Sequence, residues 1–96
     1  MGGPAEEFEQ RVQDLLAEGF LHLVTDLRRV PQVDSSGIRA LVRGYTTAQR
    51  FGGSFKLVAP STLVRTILEV TRLNSIFPIY DSVEEATQPP AQQAIG

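Results

Sequence analysis

The chain has 96 residues, 42% of them apolar and 21% charged, with a net charge of −2 and neither cysteine nor tryptophan. That length suits one domain with a small core, and the lack of cysteine excludes disulfide scaffolds, zinc–thiolate sites and thiol nucleophiles. No apolar run nears the roughly 20 residues of a membrane helix. The first residues also lack the basic start and apolar stretch of a signal peptide, so a cytoplasmic protein with no membrane partner is expected.

Helix and strand patterns alternate along the chain. Over residues 4–18, Phe8, Val12, Leu15 and Leu16 recur at helical spacing. Pro4 and the early glutamates suit the first turn, and Gly19 ends the helix. Residues 20–27 are mostly apolar and read as a buried strand, followed by a loop over 28–33 in which Pro31 excludes a continued ladder. A second helix is predicted from Ser36 to about Phe51, with Ile38, Leu41, Val42, Tyr45 and Ala48 inward, stopped by Gly52-Gly53. Residues 54–59 form a second strand. A third helix opens at Pro60-Ser61 and turns Leu63, Val64, Ile67, Leu68 and Leu73 inward, with Asn74 as its C-terminal cap. Residues 76–80 read as a short strand whose Pro78 places it at a sheet edge. Ser82-Val-Glu-Glu85 is a capping-box pattern, and residues 87–96 read as a disordered tail. Single helices between strands imply an α/β fold with a parallel sheet, and three strands leave at least one bare edge.

The charge is uneven. Residues 1–27 carry six acids against Arg11, residues 28–72 carry eight bases against Asp34 and Glu69, and the remainder carries only acids. A basic middle fits an acidic docking partner. A net acidic chain does not fit nucleic acid.

Chemistry concentrates at Val33-Asp34-Ser35-Ser36-Gly37-Ile38, after a strand and at a helix start. Asp and Ser there are ordinary caps, and the same helix end favours an anion. A phosphate on Ser35 would lie one turn from Arg39, and Gly37 would let a partner's backbone approach. Arg39, Arg43 and Arg50 repeat on one helix face, either a solvated face or a recognition surface. His22 is the only histidine and lies about five residues from the end of its strand. That is roughly 16 Å from the loop, too far for a Ser–His pair. Phosphate-binding glycine motifs are absent, and the spacing of Asp26, Asp34 and Asp81 offers no metal site, so no cofactor is expected.

The stretch His22-Leu-Val-Thr-Asp-Leu-Arg-Arg-Val-Pro-Gln-Val-Asp-Ser-Ser-Gly37 resembles the hallmark of the STAS domain of bacterial anti-sigma factor antagonists. The similarity continues through 48–58 and 63–73 and closes with Phe77-Pro-Ile-Tyr-Asp-Ser-Val-Glu-Glu-Ala86. It implies a STAS-like α/β domain over residues 1–86, short of the leading strand pair that members usually carry. It also implies a non-enzymatic protein that binds an anti-sigma factor, commonly a serine kinase, and so releases a sigma factor. Phosphorylation of Ser35 by that kinase would dissociate the complex and a phosphatase would restore it. The partner surface would include Asp34, Ser35, Ser36, Gly37, Arg39 and Arg43. A STAS module of another assembly, a stress-signalling scaffold or a lipid-transport complex, is the alternative. The missing strands would leave the flank of residues 20–27 unpaired, where a homodimer is expected.

Overall fold

Pro4 occupies the first turn of α1 (Pro4–Ala17), where its missing N–H costs no hydrogen bond, and Glu6 Oε1 accepts from the Gly3 backbone N–H at 2.6 Å. The computed structural model describes residues 3–87; the expected tail from 88 onward lies outside the described residues. After α1 come β1 (His22–Asp26), α2 (Ser35–Arg50), β2 (Ser54–Val58), α3 (Thr62–Val70), a 3₁₀ turn (Leu73–Ser75), β3 (Ile79–Tyr80) and α4 (Val83–Thr87). Thr87, assigned to the tail from sequence, is the last residue of α4.

The three strands are parallel in the order β1-β2-β3. Register pairs Leu23 with Phe55, Thr25 with Leu57, and Leu57 with Ile79, so these side chains share one face. Phe8 of α1 meets Phe55 edge-on at 6.2 Å, and Phe55 and Tyr45 of α2 both pack on Phe77. Val64 and Leu68 of α3 join the same buried cluster. The opposite face carries Val24, Lys56, Val58 and Tyr80. There Lys56 Nζ lies 5.4 Å from the centre of the Tyr80 ring and donates to the Ala86 carbonyl of α4 at 2.9 Å.

Several sequence expectations shift. The first strand is shorter than 20–27 and only half-buried: Leu23 and Leu27 are buried while Phe20, His22 and Asp26 face solvent. Val42 and Leu63, expected inward, point outward, and the small residues Ala40 and Gly44 take the buried face of α2. Gly44 is there because the Phe55 ring fills its side-chain position: a Cβ would come within 2.8 Å of Phe55 Cε2. Asn74 is not the cap of α3, which closes at Thr71, with Arg72 left-handed (φ 64°). The last strand begins after Pro78, because Leu57 N–H bonds to the Pro78 carbonyl and Phe77 turns into the core. The capping motif before α4 forms in part as expected: Ser82 Oγ accepts from Glu85 N–H at 3.1 Å, while Glu85 Oε1 reaches back to Asp81 N–H and not to Ser82 N–H.

Candidate functional site

Asp34 has an extended backbone and caps α2, its Oδ1 accepting from Gly37 N–H at 2.9 Å while Ile38 N–H bonds to its carbonyl. Ser35 and Ser36 follow as the first two helical residues, both exposed. The expected second cap at Ser36 is not formed, since Asp34 already serves the first turn and Ser36 lies inside the helix. At the head of a 16-residue helix, Ser35 stands at the positive end of the dipole, with Arg39 one turn along and also exposed.

Beside this helix start a groove of about 810 Å³ opens between the first turn of α1, the end of β1, the 28–34 loop and α2. Its walls mix Phe8, Leu27, Val30, Val33 and Leu41 with Glu6, Thr25, Asp26, Asp34 and Ser36. The β1 end is tied down by Arg28, whose side chain pairs with Asp26 at 2.7 Å and whose backbone N–H bonds to the same carboxylate at 2.9 Å. Those side-chain and backbone hydrogen bonds hold the Asp26 carboxyl below its ordinary range and raise Arg28 correspondingly.

Among the sequence-predicted residues, Asp34, Ser36 and Gly37 line the groove, whereas Ser35 and Arg39 are exposed and do not line it. Gly37 also serves the chain itself, because a Cβ there would meet Val33 Cγ1 of its own loop at 2.6 Å. Arg43 is drawn away from the others: it pairs with Glu9 of α1 at 3.3 Å and, with Arg50, lines a separate cleft between α1 and α2. The expected basic stripe is therefore split, its middle member bridging two helices. The groove's apolar lining was missed from sequence; its signal was Val30 and Val33, two β-branched residues in a loop that has no strand to bury them.

His22 lies at the far end of β1 with Nδ1 2.9 Å from Ser54 Oγ, so it takes no part in this site. Among the described residues, no group of three or more His, Asp and Glu side chains is placed to hold a metal ion, and no helix is long and apolar enough to cross a membrane.

A family model for the STAS domain matches residues 2–86. A Thermotoga neapolitana protein, provisionally named an anti-sigma factor antagonist, is 31% identical over 75 residues, covering 78% of this chain and 66% of the relative. The chain thus spans just under two thirds of that relative's length. The crystal structure of a Thermotoga maritima protein given the same provisional name superposes with a TM-score of 0.80 at 32% identity, covering 85% of this chain and 71% of that one. That of an anti-sigma factor antagonist from Mycobacterium paratuberculosis gives 0.74 at 28% identity, covering 85% and 69%.

Proposed function

Because this chain belongs to the STAS domain family, we propose that it is a non-enzymatic antagonist of an anti-sigma factor, switched by phosphorylation of Ser35. The unmodified chain binds the anti-sigma factor, a serine kinase, through the start of α2 and the adjoining loop, and a sigma factor is released. The kinase then phosphorylates Ser35, the complex separates, and a phosphatase returns the chain to its binding form.

The observation that carries this reading is the position of Ser35, an exposed hydroxyl on the first residue of α2, beside a carboxylate committed to capping. A kinase needs the hydroxyl accessible, and Asp34 presents it on a fixed helix start rather than on a mobile loop. A phosphate of about −1.5 to −2 charge is tolerated there by the helix dipole and Arg39. The added charge therefore acts on the partner and leaves the fold standing. An interface packed against the groove would have to desolvate that charge, which weakens binding.

The experiment is labelling by the cognate kinase followed by localisation of the phosphate. Label is expected on Ser35 alone, with the Ser35→Ala chain unlabelled. Label on Ser36 or elsewhere, or its persistence in Ser35→Ala, contradicts the reading. The non-enzymatic part is checked with hydrolase substrates: turnover that disappears in Ser35→Ala would oppose it.

A further inference from the structure

Helix α2 turns Arg43, Thr46, Thr47 and Arg50 toward α1, at i, i+3, i+4 and i+7, the spacing that aligns side chains along one helix face. Opposite them α1 presents Glu9 and Gln13, one turn apart. Between the two helices lies a cleft of about 320 Å³, floored by the buried residues Val12 and Gly44.

This cleft is rich in donors and poor in acids. Thr46 donates its hydroxyl proton to the Val42 carbonyl at 3.0 Å, which leaves Arg43, Arg50, Thr47 and Gln13 as the donors that can face a ligand. Glu9 is the one carboxylate in the lining among the described residues. It is only 22% exposed and meets a single nitrogen of the Arg43 guanidinium at 3.3 Å. The chain's own packing thus already sets one anion against this face of α2. Arg50 takes part in none of the ion pairs among the described residues, which join Arg28, Arg43 and Arg65 to their acids. Two guanidiniums against one carboxylate leave the cleft positive in a chain whose net charge is −2.

The donor set selects the ligand. A carboxylate is satisfied by one arginine, as Glu9 shows, whereas a tetrahedral phosphate has oxygens enough to meet two guanidiniums and a hydroxyl at once. Seven residues of helix place the Cα atoms of Arg43 and Arg50 about 10 Å apart, a span that two long side chains close over one small group. At about 320 Å³ the cleft lies at the low end of ligand sites, roughly 300–1,000 Å³, which suits a small molecule and not a dinucleotide or a peptide.

We propose that the cleft between α1 and α2 binds a single phosphate group, free or as the monoester of a small molecule, held by Arg43 and Arg50 with Thr47 and Gln13 donating between them. Glu9 competes with this phosphate for Arg43. The site goes beyond the antagonist reading and does not depend on Ser35, which opens α2 while Arg50 closes it.

The test is NMR titration of the 96-residue chain with sodium phosphate and with glycerol 3-phosphate, each set against sodium chloride at equal ionic strength to remove screening. Saturable shifts are expected at Nε–H of Arg43 and Arg50, the Gln13 side-chain amide and the Thr47 backbone N–H. Tighter binding of glycerol 3-phosphate marks an organic monoester as the ligand, and equal or weaker binding marks free phosphate. Arg50→Gln should weaken binding about tenfold or more, because a charge-assisted contact is lost. Arg50→Lys keeps the charge at the end of α2 and should still weaken it several-fold, because the planar two-pronged donor is lost. Glu9→Gln removes the competing carboxylate and should tighten binding several-fold. Ser35→Asp should leave it unchanged, which separates this proposal from the phosphorylation switch. No saturable shift beyond the chloride control, equal binding by Arg50→Gln, or shifts confined to the amides of residues 35–37 overturn it. Binding by Glu9→Gln that is no tighter than that of the native chain overturns it as well.

Discussion

Asp34 Oδ1 accepts the Gly37 backbone N–H at 2.9 Å, and this one contact sets where α2 begins and hence where Ser35 stands. The carboxylate fills a donor that the helix cannot satisfy internally, and Gly37 is small enough to let Val33 close over the first turn. Capping and the proposed switch are therefore divided between neighbours: Asp34 holds the turn, and Ser35 remains available.

Asp34→Ala should cost about 1 kcal/mol of stability, whereas Asp34→Asn should cost only a few tenths, because an amide oxygen still caps. Thermal melting reads the difference, at about 4–8 °C per kcal/mol for a domain of this size.

Ser35→Asp should keep or slightly raise stability, by about 0.3–1 kcal/mol, since a negative charge at a helix start is favourable. A large loss in the denaturant midpoint would mean that the residue is structural and would remove the separation between fold and switch.

Much of this arrangement was legible in the sequence. Asp and Ser at the edge of a helical pattern place the start of α2 to within one residue, Ser36 read against Ser35 observed, and the single helices between apolar runs imply the parallel sheet. Hydropathy alone misled at Val42 and Leu63, since an apolar residue reads as inward although its helix buries another face. Gly44 gave no signal, because its burial follows from the size of Phe55 opposite and not from its own character. The split of the arginine stripe was likewise hidden, because Glu9 lies 34 residues from Arg43 in sequence.

Gly44→Ala should destabilise by about 1–3 kcal/mol through overpacking, since its Cβ would sit 2.8 and 3.0 Å from two atoms of the Phe55 ring. Gly53→Ala should cost more. Its Cβ would run into the Leu21 backbone carbonyl, the acceptor of the Ser54 N–H at the start of the β1–β2 ladder, and backbone yields less readily than a ring. Urea denaturation of the two variants gives the order.

The pH dependence has a definite sign at Asp26. Hydrogen bonds from the Arg28 side chain and backbone N–H depress its folded pKa, so its contribution is complete above the ordinary carboxylate range and is lost as pH falls through the folded value. The stability difference between the native chain and Asp26→Asn should therefore be largest near neutral pH and shrink on acidification. A difference that grows toward acid would contradict the pairing.

The most direct test of the central claim is the affinity of the anti-sigma partner for this chain, titrated before and after stoichiometric phosphorylation at Ser35. The expected result is tight binding of the unmodified chain and a loss of at least tenfold after modification, with the thermal midpoint unchanged or slightly raised. Equal affinity of the two forms would contradict a switch at the start of α2.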